Sequence, residues 1–372
     1  MQTEHDQVVV HVQRALSKTT FSCSNLTPLS GGTTSFVFLG NLNYPLPPAT
    51  GSGTSDTPSK AIVKYAAHHL SCSPEFLINP SRCEFEALML AALQDGLYVN
   101  THADRLVVST PRLYHFDQDN HVQVMEYFPN TTTLRDALPS LTDSQATSIG
   151  RSVGLWLRSF HDWSSKPEQK RLRDTVERNK DMRALKWKIT YEQGTQVLER
   201  FPDIVGKRSK EMWDEIKASH ESGEEADSDD DFGVTHGDFW SGNVLVTETA
   251  TPRLHVIDFE LSHVSHRAID AGQFIGDLLE TAHFDSSLQL MVIALIKAFT
   301  TTYANVGEDI AFRIAMHAGV HMINWWSRGP KQDDNQEGKA LLHEALKIVA
   351  RAWKKDREWM KKNEAFCDLF KD

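Results

Sequence analysis

Three residues whose types and spacing could do chemistry fall within one short stretch. Thr235-His236-Gly237-Asp238-Phe239-Trp240-Ser241-Gly242-Asn243 reads as a tight polar turn that runs into the apolar strand Val244-Leu245-Val246. Leu254-His255-Val256-Ile257-Asp258-Phe259-Glu260 reads as a second apolar strand that ends in an acid. A hairpin connection between the two can bring Asp238, Asn243 and Asp258 together. Asp238 could accept or orient a hydroxyl proton. Asn243 and Asp258 offer oxygen, the ligand a hard cation such as Mg²⁺ prefers. An Asp, an Asn five residues on and a strand-terminal Asp are the parts of a phosphoryl-transfer site. Capping a turn is a common alternative use of both residue types.

Other elements must position these groups. Val8, Val12 and Leu16 fall at helical spacing, so a helix is expected from about Glu4 to Leu16. Two strand-like runs flank Gly31-Gly32, from Leu26-Thr27-Pro28-Leu29-Ser30 to Ser35-Phe36-Val37-Phe38-Leu39. Glycines there let backbone amides approach phosphate oxygens, although an ordinary hairpin turn has the same look. Tyr44 to Lys60 is rich in Pro, Gly, Ser and Thr and reads as an exposed loop. Ala61-Ile62-Val63-Lys64-Tyr65 is a strand whose lysine is either a solvated edge charge or a ligand contact. A helix follows from about Asn79 to Gln94, with Glu84 and Glu86 on it. Leu106–Val108, Pro111–Tyr114 and Val122–Tyr127 read as three further strands, stopped by Phe128-Pro129-Asn130. Thr142 and Gln145 form a capping-box signal for a helix to about Trp163. Residues 165–220 are charged and helical in character, with Trp187, Tyr191 and Trp213 as packing anchors. Asp270 reads as the N-cap of an apolar helix. Three more helices are expected, at about Ser287–Tyr303, Asp309–Trp326 and Glu337–Phe366.

His236-Gly237-Asp238 with Gly242-Asn243 and Ile257-Asp258 resembles the aminoglycoside phosphotransferase and choline kinase superfamily, over about Leu26 to Trp326. Asp258-Phe259-Glu260 and Asp270-Ala271-Gly272-Gln273-Phe274-Ile275 look most like methylthioribose kinases and the related fungal 4-hydroxytryptamine kinase. The resemblance implies an α+β, protein-kinase-like fold of two lobes. Residues 1–129 would form a small nucleotide-binding lobe with an antiparallel sheet and one helix. Residues 130–372 would form a larger, mainly helical lobe for catalysis and acceptor binding. The implied cofactors are ATP and Mg²⁺, and the implied partner is a small-molecule hydroxyl acceptor such as a sugar, amino alcohol or hydroxylated amine.

Residue by residue, the resemblance makes Asp238 the catalytic base and Asn243 and Asp258 the metal ligands. Glu260 stands where it could serve metal or substrate. Gly31, Gly32, Thr33 and Ser35 would cover the nucleotide phosphates. Lys64 would reach the α- and β-phosphates, and Glu84, chosen over Glu86 from Arg82-x-Glu84-x-x-Ala87-Leu88, would fix it. Met125, Glu126 and Phe128 would line the adenine site. Asp270 would also tie down the backbone of the catalytic loop. Trp240, Arg313 and Trp325 are the candidates for acceptor contact. Asp231-Phe232-Gly233 spells the metal tripeptide of protein kinases but precedes the catalytic loop, so Asp258 takes that role. A catalytically silent nucleotide-binding or scaffold protein on the same fold is the alternative. The joint presence of Lys64, Asp238, Asn243 and Asp258 favours the active form.

Composition narrows the rest. The 372 residues are 40% hydrophobic and 24% charged, enough for one large or two modest domains. Net charge is −11, but Glu221–Asp231 holds seven acids and no base, so the balance elsewhere is −4. No basic stripe suggests nucleic acid. The four cysteines have no metal-binding spacing and read as reduced thiols of a cytoplasmic protein. The first residues lack a signal-peptide plan, and no apolar run reaches membrane-spanning length. The expected assembly is a monomer or homodimer.

Overall fold

A computed structural model of the chain describes residues 2–29, 31–46, 58–96, 106–222, 232–249, 252–303, 306–325 and 336–371. Ser30, most of the Pro- and Gly-rich loop, the acidic stretch with its Asp231 decoy, and Trp326 lie outside the described residues, as does the side chain of Trp325. The chain separates into two compact units, Met1–Asp95 with Thr110–Pro129, and Gly96–Ser109 with Asn130–Asp372.

The first unit contains α1 (Gln2–Leu16), β1 (Cys23–Pro28), β2 (Phe36–Leu42), β3 (Lys60–Tyr65), the short pair β4 (His69–Leu70) and β5 (Ser73–Leu77), and α2 (Arg82–Gly96) up to Asp95. After β6 (Val108–Ser109) come β7 (Leu113–Asp117) and β8 (Val122–Glu126). Its main sheet runs β1-β2-β3-β8-β7, and every neighbouring pair is antiparallel. Residues of β2 alternate between buried and half-buried, so Phe36 and Phe38 point inward with the period of two that a half-covered strand requires. They pack with Val63, Val122, Val124 and the α1 residues Val8, Val12 and Leu16. The expected antiparallel lobe is present, with α1 as a second helix beside α2.

The second unit is mainly helical. It holds β9 (Thr131–Thr133), α3 (Leu134–Ala137), α4 (Asp143–Ser165), α5 (Lys170–Val176), α6 (Lys180–Trp187), α7 (Gln193–Arg200) and α8 (Lys207–Ser222). Then come β10 (Phe232–Thr235), β11 (Val244–Thr247), β12 (Leu254–Val256), β13 (His263–His266), α9 (Ala268–Phe284), α10 (Gln289–Tyr303), α11 (Glu308–Trp325), α12 (Gln336–Trp353) and α13 (Arg357–Lys362). The capping box at Thr142 and Gln145 is formed at the start of α4. A π-helical turn, Lys188–Glu192, joins α6 to α7. Such turns are rare and frequent at functional sites.

The structure differs from the sequence reading at two places. A lobe boundary after residue 129 puts β6 in the first lobe. β6 pairs in parallel with β12 in the sheet β6-β12-β11-β9, so Gly96–Ser109 belongs to the second unit. The last helix, expected to run from Glu337 to Phe366, breaks at Lys355, which sits at φ 51°, and restarts as α13 with Asp356 accepting from the Trp359 amide. None of the described helices is long and apolar enough to cross a membrane.

Helix α9 touches α11 through glycine. A Cβ at Gly272 would lie 2.5 Å from His317 Cβ, and one at Gly276 would lie 2.5 Å from the Ala318 carbonyl oxygen. Real Cβ atoms do not come so close, so only hydrogen fits at either position. The two helices therefore approach along this line.

Candidate active site

One face of α9 holds the His236–Asn243 loop. Asp270, Gln273 and Asp277 stand three and four residues apart, which puts them on one side of a helix that is otherwise largely apolar. Asp270 accepts the amides of His236 at 2.8 Å and Gly237 at 3.0 Å. Asp277 accepts the Ser241 amide at 3.0 Å and also its hydroxyl, and it pairs with Arg135. Gln273 donates from Nε2 to Asp238 Oδ1 at 2.9 Å. Asp270 was read as an N-cap. It lies inside the first turn and caps nothing, and its two bonds to backbone amides are the loop tie that the resemblance implied.

Burial pushes the Asp270 carboxyl up, but the bond from His161 and the neighbouring histidines outweigh it, so the group is held below the usual carboxylate range. His161 donates from Nε2 to Asp270 at 3.0 Å, and its Nδ1 lies 2.9 Å from the Tyr303 hydroxyl. Gly237 sits at φ 81°, where L side chains are rare, and a Cβ there would run into the Leu261 carbonyl. His236 donates from Nε2 to the Ile257 carbonyl at 3.0 Å and accepts the Asp238 amide at Nδ1 at 3.3 Å. Burial lowers its pKa, against the pull of Asp270 and Asp238, which agrees with a neutral ring in that tautomer. His236 thus links the loop to the strand that delivers Asp258.

Asp238 is 19% exposed at its side chain. Its Oδ2 accepts from Trp240 Nε1 at 3.2 Å and Asn243 Nδ2 at 3.1 Å. Asn243 Nδ2 also donates to the Asp238 carbonyl at 2.8 Å. With its amide nitrogen turned to Asp238, Asn243 keeps Oδ1 as a ligand atom. Asp258 adopts the left-handed conformation, φ 73°, at the head of a short 3₁₀ turn. This is a conformation Asp tolerates better than most residues, and it still carries strain. Asp258 and the buried Glu260 offer carboxylate oxygens within 4.8 Å of each other. An all-oxygen donor set of this kind suits a hard divalent cation.

In the first unit Lys64 is paired, but not with Glu84. Its Nζ lies 3.1 Å from Oε1 and 2.9 Å from Oε2 of Glu86, and both side chains are buried. Glu84 is half-buried on a different side of α2. Residues two apart cannot share a helix face. Glu86 lies four residues after Arg82 and four before Leu90, both buried, so it belongs to the inward face. That line of Glu86, Leu90 and Leu93 is visible in the sequence and could have decided between the two acids.

Arg82 ties the glycine turn to α2. Its guanidinium donates to the Thr34 carbonyl at 2.9 Å, Ser35 Oγ at 3.2 Å and the Ala67 carbonyl at 2.9 Å. The Gly32 carbonyl accepts from Ser71 Oγ at 2.9 Å, and the Thr33 carbonyl from the Cys72 amide at 3.3 Å. A planar trans peptide points its N–H away from its C=O. With their carbonyls engaged, the Gly32, Thr33 and Thr34 peptides each point the following N–H, of Thr33, Thr34 and Ser35, away from the bonded oxygen. Gly31, at φ 105°, permits the turn. Met125 is buried on β8, and Phe128 is half-buried just beyond the strand. Glu126 gives its amide to the Arg112 carbonyl at 2.9 Å, so that amide is already engaged within the sheet.

The second unit contains a cavity of about 30 Å³, lined by Lys186, Ile189, Thr190, Gln273, His317 and His321 among others; Asp238 is not in its lining but is bonded to Gln273, which is. Trp240 lies at the loop itself, with the Arg135 guanidinium 4.8 Å from its ring centre. Arg313 is half-buried in α11 and is not among the residues lining this cavity. Lys186 and Gln273 were given no role from sequence. A Gln in an apolar helix, three residues after Asp270, was a usable signal for Gln273. Lys186 sits in a charged run that gave none.

The model described as "Phosphotransferase enzyme family" matches residues 80–304, more than half of the chain. A phosphotransferase from a Cladobotryum species, FrzJ, is 26% identical over 96% of this chain and 95% of its own. A 4-hydroxytryptamine kinase from Psilocybe cyanescens is 25% identical over 85% of this chain and 86% of its own. A solved choline/ethanolamine kinase family protein from Mesorhizobium loti superposes with a TM-score of 0.51, at 14% identity, over 96% of this chain and all of that one, a likeness of fold.

Proposed function

Because this chain belongs to the phosphotransferase enzyme family, we propose that it is an ATP-dependent small-molecule kinase that phosphorylates a hydroxyl group. The observation that carries this reading is the orientation of Asp238. Its carboxylate is held by Trp240, Asn243 and Gln273 beside a cavity that two of its neighbours, Lys186 and Gln273, help to line. Asp238 orients the acceptor hydroxyl and takes its proton as the new O–P bond forms and the bond from the γ-phosphorus to the bridging oxygen breaks. Such catalysis is largely positioning and electrostatics.

Asn243, Asp258 and, by proximity, Glu260 would hold Mg²⁺, which when bound supplies charge neutralisation for the phosphates. Lys64, steadied by Glu86, would bind the nucleotide phosphates, and the amides of the glycine turn would add to that grip. Met125, Glu126 and Phe128 remain the proposed adenine neighbours. The acceptor class supported by the relatives' names is a hydroxylated amine, with sugars and amino alcohols the other classes to assay.

The test is a panel of such acceptors with Mg·ATP, run on wild type and on Asp238→Asn. The expected result is transfer by wild type and a loss of about two to four orders of magnitude in the variant. Mg·ATP affinity, measured by calorimetric titration, should change little. A variant that turns over normally would remove Asp238 from the role of base.

A further inference from the structure

Gln273 is where the orientation of Asp238 can be set from outside the loop. Its Nε2 donates to Asp238 Oδ1 at 2.9 Å, and its Oε1 accepts from Lys186 Nζ at 2.6 Å. An amide side chain has one accepting and one donating end of nearly the same shape. A carboxylate only accepts and an ammonium only donates. Lys186 and Asp238 therefore select the same orientation of Gln273. The ammonium anchors Oε1, and the carboxylate takes the NH₂. Without the ammonium, only the bond to Asp238 holds the amide, and its Oε1 end is no longer anchored.

The second half of the argument concerns lone pairs. An ionised carboxylate has about four acceptor directions. Trp240 and Asn243 occupy two on Oδ2, and Gln273 occupies one on Oδ1. The direction left over is on Oδ1, on the atom whose neighbour Gln273 also lines the cavity. Lys186 Nζ is 3.8 Å from Asp238 Oδ1, an ion pair but too far for a direct hydrogen bond, so its charge acts on the carboxylate directly while its hydrogen-bonded link runs through Gln273.

We propose that Lys186 and Gln273 are a coupled pair of positioning residues. Lys186 fixes the orientation of the Gln273 amide, and the amide fixes Asp238 so that its remaining Oδ1 lone pair meets the acceptor hydroxyl. This rests on Asp238 being the group that takes the acceptor's proton. Neither residue is itself the group that takes the proton: Gln273 acts through its bond to Asp238 Oδ1, and Lys186 through Gln273 and through its charge.

The experiment uses the full chain with two readouts. The first needs no turnover: the side-chain amide NMR signals of Gln273, identified by their loss in Gln273→Leu. In wild type they should show a hydrogen-bonded, slowly exchanging NH₂. They should shift and exchange faster in Lys186→Met, and return in Lys186→Arg. Unchanged signals in Lys186→Met would overturn the proposal.

The second readout is steady-state turnover of Mg·ATP with water as acceptor. Lys186→Met and Gln273→Leu should each lower kcat by about ten- to a hundredfold, the scale of a small misplacement at a reacting group. The KM for Mg·ATP should stay within about twofold, since the pair acts on the base and not on the nucleotide. Gln273→Glu keeps the shape and the bond to Lys186 but sets a carboxylate against Asp238, so it guards against a misfolded Gln273→Leu and should lose as much. The double variant Lys186→Met/Gln273→Leu should be no worse than the worse single. Losses that multiply in the double variant would mean two independent contributions and would overturn the coupling. Asp238→Asn separates the two levels. If it is inactive while the pair variants turn over like wild type, only the pair is wrong. If it turns over like wild type, the base assignment falls and the pair with it.

Discussion

Helices α2 and α9 both carry buried polar side chains, and they use them differently. On α2 a buried carboxylate meets a buried ammonium, Glu86 against Lys64, and Arg82 reaches the backbone of the glycine turn. On α9 Asp270 and Asp277 meet three backbone amides of one loop together with the Ser241 hydroxyl, His161 and Arg135, and a neutral amide, Gln273, meets the Asp238 carboxylate. The first arrangement concentrates electrostatic energy in one pair of charges. The second distributes it over many donors, each fixing a different peptide. Loss of a partner should therefore show as instability on α2 and as misplacement on α9.

The sharpest way to test this contrast is Glu86→Leu. It leaves the Lys64 charge buried without its carboxylate, and breaking such a pair costs about 3–5 kcal/mol. Glu84→Gln should stay within about 0.5 kcal/mol of wild type, as exposed or half-exposed substitutions usually do. Urea unfolding of the two variants decides it. Equal losses would restore Glu84 as the partner of Lys64.

A smaller effect is expected from Asp270→Asn. The new NH₂ end faces a donor where an oxygen stood, so one loop amide loses its acceptor. An unsatisfied buried donor costs about 1–3 kcal/mol. Turnover should fall by more than this loss of stability explains, because the displaced peptide is next to Asp238. A variant destabilised to that degree but fully active at a temperature where it is folded would show that the loop holds its shape without α9.

A third effect is a pH dependence of stability carried by buried histidines of the second unit. Burial lowers the pKa of His236, and it lowers His255 and His263 to about 4. These rings take up protons first in the unfolded chain, near pH 6.5. The stability they contribute is thus complete above that value and is lost as the pH falls toward 4. The Tm should drop by several degrees between pH 7.5 and pH 5. A flat profile over that range would mean that the rings are not held neutral in the fold.

Much of the catalytic loop could be read in the sequence because its groups are close in the chain. Asp238 and Asn243 are separated by one turn, and Asp258 ends the strand that pairs with the next one. Covalent geometry alone keeps such groups near each other. The pairing of Lys64 was harder, since two acids on one helix differ only in which side faces the sheet. Lys186 and Gln273 lie 87 residues apart and meet only through tertiary packing. The strand pattern of Leu106–Val108 announces a strand but not its partner, so a lobe boundary after residue 129 leaves it on the wrong side. The break at Lys355 has neither Gly nor Pro to mark it.

The glycines of α9 bear on reactivity although they have no polar side chain. Gly272 and Gly276 let α9 lie against α11 without an intervening methyl group. The stripe that holds the catalytic loop is rigidly attached to the same helix. Any side chain at position 276 would lift α9 and carry Asp270, Gln273 and Asp277 with it. A shift of about 1 Å at a reacting group can cost two orders of magnitude in rate. The mechanical tolerance of the loop that carries Asp238 is therefore set at a seam between two helices, whose α11 residues His317 and His321 also line the cavity beside Gln273.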